Sequence, residues 1–168
     1  MTYERHLVFL YGTLKTGEPN HHVLNNPDTG VHELIGIGHT IEKFTLVIAT
    51  QFNIPFLLNE PGKGHQITGE IYSVDEKKLA ELDRLEDYPN LYKREKHSIK
   101  MINDEVLHAW IYLLPIWSEE IVQTASAPLQ IYNSNGPHGR VLEKTKILEI
   151  MERENLNLFQ LIKGTQEI

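Results

Sequence analysis

The stretch that most constrains this chain is residues 7–20, LVFLYGTLKTGEPN, where a short apolar run ends in an aromatic residue and breaks at Gly12. Leu7, Val8, Phe9 and Leu10 are too few for an ordinary helix and rich in strand formers, so they predict a buried strand running into Tyr11. Gly12 then marks a sharp turn. Such a turn takes the amide N–H groups of Gly12, Thr13 and Leu14 out of any sheet ladder and points them into a small pocket for a carboxylate or an oxyanion. A glycine turn with no chemical role satisfies the same residues, and this stretch alone does not choose between the two.

The rest of the first half also reads as mostly β. Residues 20–26, bounded by Pro19 and Pro27, have room for one helical turn. Residues 33–49 hold two apolar segments, LIGIGHTI and FTLVIA, and the paired Gly36 and Gly38 suggest a bulge or bend of the kind used at barrel corners. These two glycines imitate a dinucleotide fingerprint, but the third glycine and its helix are missing. NIPFLL at 53–58 is a short extended piece that Pro55 keeps out of a central strand. Residues 67–74, ITGEIYSV, alternate like a strand.

At Asp75 the period changes to that of a helix. Asp75 is an N-cap, Glu76 suits the positive end of the dipole, and Leu79, Leu82 and Leu85 form an apolar stripe ended by Pro89. At about 100° per residue, Glu86 falls between Leu79 and Leu82, on the side that should be buried. Glu81, Asp83 and Asp87 lie off that stripe and are expected to reach water. Residues 92–101 and 106–114 predict two further strands joined at Asn103 and Asp104, with Trp110, Tyr112 and Leu114 on one face. The pattern is indistinct from 117 to 128, NSNGPHG at 133–139 is a dense turn cluster, and residues 142–162 are helical in composition.

Charge and composition narrow the partners. A net charge of -7 with no basic run disfavours nucleic acid and anionic membranes. The absence of cysteine excludes disulfides, thiolate nucleophiles and Cys-bound metals, and suits a reducing compartment. The apolar run at 7–11 is too short for a signal-peptide core or a membrane span, so the cytosol is expected. The 9 histidines show no HxxxH or HxH spacing, and neither a GxSxG elbow nor a phosphate-binding GxxxxGK[ST] loop occurs. No metal or cofactor site is therefore expected.

What remains is a carboxylate facing backbone donors. A buried Glu costs several kcal/mol unless paired or neutralised, so its pKa should rise into the range of a useful general acid or base. A Glu86 that merely hydrogen-bonds a core group, or turns outward at a frayed helix end, is the alternative.

YGTLK with GEPN close behind, NIPFLL, LDRLEDYPNLYKR and the late GPHG, in that order, together resemble the γ-glutamylamine cyclotransferases of the wider γ-glutamylcyclotransferase-like superfamily. The resemblance covers residues 7–139. It implies an α+β fold: a small mixed β-barrel-like sheet with flanking helices, here a domain at 1–140 followed by a C-terminal helical extension at 141–168. It also implies a reaction, the intramolecular displacement of an amine from a γ-glutamyl amide to give 5-oxoproline, without metal or cofactor. The expected substrate is γ-glutamyl-ε-lysine, the remnant of transglutaminase crosslinks. The family's catalytic glutamate corresponds to Glu86, and its backbone-donor loop to Tyr11, Gly12, Thr13 and Leu14; Asn53, Pro55 and Tyr92 are expected pocket walls, as is 136–139. A monomer acting on a small molecule is expected. Two alternatives stand beside it: a cyclotransferase for γ-glutamyl α-amino acids or glutathione, and a non-catalytic ligand-binding member.

Overall fold

The computed structural model of the protein describes residues 5–50 and 53–140. Six strands carry the fold: β1 (His6–Leu10), β2 (His32–Ala49), β3 (Ile54–Leu58), β4 (His65–Val74), β5 (Lys93–Met101) and β6 (Val106–Leu113). They run in the order β3-β2-β4-β1-β6-β5, and a further pairing of β2 with β5 closes five of them into a barrel, leaving β3 outside. The sheet is mixed, because β1 lies parallel to β6 and antiparallel to β4. The barrel-like α+β architecture expected from the motifs is therefore present. Pro55 sits in the outer strand, opposite Ile48, where the ladder hydrogen bond that proline lacks costs nothing.

Where the sequence suggested two apolar segments, the chain makes one strand of 18 residues, β2. Its register shifts between Leu34 and Gly36 and again between His39 and Lys43. These irregularities bend it, so that its first part pairs with β4 and β5 while its last part pairs with β3. At the bend Gly38 lies opposite Gly69. A Cβ on Gly38 would come within 2.8 Å of the Lys100 carbonyl, and one on Gly69 within 2.6 Å of the Phe9 ring, so a tightly closed barrel excludes side chains from both.

Alternation along the strands divides the core in two. Phe9, Phe44, Ile67, Ile71, Ile99 and Ile111 fill the barrel. Val8, Leu10, Tyr72 and Val74 face outward beneath a second layer. That layer includes α1 (His21–Leu24), α2 (Glu76–Leu85) and α3 (Glu119–Thr124), which contribute Leu24, Leu79, Leu82 and Ile121. Burying each such side chain stabilises the fold by roughly 2 kcal/mol. The expected cap of α2 is in place, with the Asp75 carboxylate accepting from the Lys78 amide at 2.9 Å. Helix α3 occupies the stretch whose pattern was indistinct, and the proposed extension at 141–168 lies outside the described residues. No helix among the described residues is long and apolar enough to cross a membrane.

Candidate active site

The exit of β1 supplies the first part of the site. Tyr11 is buried and donates its hydroxyl to the Tyr112 carbonyl at 2.7 Å, which ties the end of β1 to β6. The chain then turns, with the Lys15 amide donating to the Gly12 carbonyl at 3.3 Å. No hydrogen bond among the described residues takes up the amide N–H of Gly12, Thr13 or Leu14. The Leu14 side chain goes into the outer core layer, so only its backbone is available for chemistry. Gly12 is not among the residues with a left-handed backbone, and a Cβ there would merely touch Pro55 Cγ at 3.5 Å. The turn itself does not require a glycine, and what the missing side chain leaves is open approach to the amides.

Helix α2 supplies the second part. Its last residue is Leu85, and Glu86 is the C-cap, with its N–H on the Leu82 carbonyl at 2.9 Å. This bond continues the helical spacing for one more residue, which is why the wheel placed Glu86 correctly. The residue as a whole is half-buried, yet protein crowds its carboxyl, and that burial pushes the pKa up to about 7. Among the described residues no side chain donates a hydrogen bond to it.

Three phenols lie within electrostatic reach of that carboxyl. Burial, and then the Glu86 charge among other neighbours, hold Tyr11 and Tyr92 well above the usual phenol range. Burial and the bond to Asp83 do the same for Tyr112, with a smaller push from Glu86. All three therefore stay protonated at neutral pH, as neutral walls. Tyr11, Tyr92 and Glu86 thus lie close enough to feel one another, and Pro55 lies against Gly12. Asn53 sits in the turn between β2 and β3 with φ of 57°, its N–H on the Thr50 carbonyl at 3.3 Å.

One sequence expectation needs correction. Asp83 does not simply reach water: it accepts from Tyr112 Oη at 2.6 Å and from Arg94 Nε and NH2 at 2.9 and 3.2 Å. Arg94 in turn stacks over Tyr88 and Trp110, 4.8 and 4.3 Å from the ring centres. The helical wheel missed this because β5 and β6 pack over that flank, and nothing local in the sequence announces it. Gly136, Pro137 and His138 line a groove of about 720 Å³ with His65, Gln130 and Arg140, whose wall includes neither Glu86 nor Tyr11.

The model of the family described as gamma-glutamyl cyclotransferase, AIG2-like, matches residues 8–132. The chain belongs to that family. A Drosophila melanogaster relative provisionally named a gamma-glutamylcyclotransferase is 43% identical over 150 residues, covering 89% of this chain and 93% of that protein. Gamma-glutamylaminecyclotransferase C of Danio rerio is 41% identical over 143 residues, covering 80% and 90%. Among solved structures, the crystal structure of an AIG2-like protein from Mus musculus superposes with a TM-score of 0.78 at 38% identity, covering 83% of this chain and 96% of that one. Its likeness extends the barrel architecture described above to a second family member.

Proposed function

We propose that this protein is a γ-glutamylamine cyclotransferase, an amine-releasing lyase that converts γ-glutamyl-ε-lysine to 5-oxoproline and lysine. The observation that carries the reading is the meeting of Glu86, held near neutrality with no side-chain donor among the described residues, with the exit of β1, where three amides have no hydrogen-bond partner among those residues. Relatives about 40% identical carry the gamma-glutamylaminecyclotransferase name, which supports the same activity.

In this mechanism the Glu86 carboxylate takes a proton from the substrate's α-ammonium. The freed nitrogen lone pair attacks the γ-carbonyl carbon and closes a five-membered ring. The tetrahedral centre then collapses, the bond to the amine breaks as Glu86 returns the proton to the departing nitrogen, and the ring nitrogen gives up its second hydrogen, which leaves the lactam N–H and the released amine as its ammonium. Nucleophile and electrophile belong to one molecule, so holding the chain folded supplies much of the acceleration. The amides of Gly12, Thr13 and Leu14 anchor the α-carboxylate or stabilise the oxyanion. Tyr11, Tyr92, Asn53 and Pro55 line the pocket. Residues 1–140 are proposed as the catalytic unit, acting as a cytosolic monomer without cofactor; the cysteine-free sequence suits a reducing compartment.

The test is a panel of γ-glutamyl-ε-lysine, γ-glutamyl α-amino acids and glutathione, with 5-oxoproline as the readout. Turnover of the first is expected to exceed the others, and Glu86→Gln should lose about a hundredfold to ten-thousandfold in kcat. Full activity in that variant removes Glu86 from the mechanism. Preference for the α-amino acids moves the chain to the other branch, to which the name of the Drosophila relative points.

A further inference from the structure

We propose that Glu70 is a positioning residue for the reaction, a two-pronged clasp that fixes the amides of Gly12, Thr13 and Leu14 by gripping Thr16 just beyond them. The inference rests on the cyclotransferase reading above. Glu70 Oε1 accepts from the Thr16 amide at 2.7 Å and Oε2 from the Thr16 hydroxyl at 2.9 Å. The same hydroxyl lies 2.6 Å from Tyr72 Oη. Glu70 and Tyr72 are two apart on β4 and therefore share its outer face, and Glu70 stands opposite Leu10, where β1 leaves the sheet. A strand that is rigid, because it is paired on both sides with β1 and β2, thus reaches over to hold the first irregular turn after β1.

The need for such a clasp follows from the turn. Donors aimed at a developing charge accelerate a reaction only when they are already oriented, and an amide with no ladder partner has nothing of its own to orient it. The other ties on this segment run to its own continuation: the Asn20 amide donates to the Thr13 carbonyl and the Asn20 side chain to the Thr13 hydroxyl, both at 2.9 Å, and His21 Nδ1 pairs with the Leu14 carbonyl at 2.9 Å. Those ties join the loop to itself or to α1. Glu70 and Tyr72 join it to the barrel. The buried Lys15 makes a second anchor, donating to the Tyr132 carbonyl.

Glutamine separates geometry from charge. Its carbonyl oxygen accepts from the Thr16 amide, and its NH2 donates to the Thr16 hydroxyl, which then turns its own hydrogen to Tyr72. Glu70→Ala supplies neither contact. The experiment measures kcat and KM for γ-glutamyl-ε-lysine, and ¹⁵N order parameters of Gly12, Thr13 and Leu14, in wild type, Glu70→Ala and Glu70→Gln. We expect kcat/KM to fall roughly tenfold to hundredfold in Glu70→Ala and to stay within about threefold in Glu70→Gln, a misplacement of the kind that costs rate without touching the chemistry. The order parameters of the three amides should drop in the alanine variant alone. A fall confined to kcat places the oxyanion on the amides, and a rise confined to KM places the α-carboxylate there; both support the clasp. Wild-type kinetics in Glu70→Ala, equal losses in both variants, or amides as ordered in Glu70→Ala as in wild type would overturn it. A wild-type protein that makes no 5-oxoproline defeats the functional reading alone, because the order parameters still test the clasp.

Discussion

Asp83 and Glu86 stand three residues apart at the end of α2, and the protein treats them in opposite ways. Asp83 receives the Arg94 guanidinium through two nitrogens and the Tyr112 hydroxyl. Glu86 receives no side-chain donor among the described residues and has neutral phenols within electrostatic reach, so burial raises it. The first carboxylate has its solvent replaced by protein dipoles and locks the helix to β5 and β6. The second has its solvent removed and no side-chain donor among the described residues put in its place, which leaves it ready to trade a proton near pH 7. Two acids of similar chemistry become a fastener and a tool through what each is denied.

In free-energy terms the largest effect that sharpens this contrast is on stability. An acid whose folded pKa is raised binds its proton more tightly in the folded chain, so the stability it confers is full below about pH 4.5. That contribution is lost as pH rises and levels off above about 7. Glu86→Gln should therefore unfold at higher denaturant than wild type at about pH 8, by up to about 3 kcal/mol, and little differently at about pH 4. An equal difference at both pH values would show that Glu86 is not unpaired.

The activity should follow the same titration. With the carboxylate form as the base, kcat/KM is expected to decline toward tenfold per pH unit below about 7, reaching roughly a hundredfold loss near pH 5. A profile flat down to pH 5 would contradict a raised acid. Smaller again is the effect of breaking the fastener. Asp83→Asn should cost about 2 kcal/mol of stability by chemical unfolding, since a charge-assisted bond to Arg94 is lost. The midpoint of the pH profile should stay near 7, because burial and not the Asp83 charge sets Glu86. A midpoint shifted by a full unit would make the two acids one coupled device.

Much of this was legible from residue order. The apolar run before Tyr11, the N-cap at Asp75, the outer placement of Pro55 and the inward turn of Glu86 are local consequences of propensity and period, and local rules reached them. The partners of Asp83 come from β5 and β6, 11 and 29 residues away in the chain, so no helical wheel could place them. The clasp of Glu70 on Thr16 spans 54 residues and was equally silent. Helix α3 was missed because six residues with a single buried position, Ile121, leave no period to detect. The long strand β2 looked like two pieces because its bends fall where the apolar pattern lapses.

That strand has a consequence for engineering. A continuous β2 serves as a shared wall for the barrel and for the outer strand, so adding or deleting a residue within it would turn every following side chain inside out, from Phe44 to Ala49. Length changes should be absorbed only at the two places where pairing already skips, near Ile35 and between His39 and Lys43. Those are the seams at which a tag, a linker or a natural insertion fits without disturbing Pro55 against Gly12.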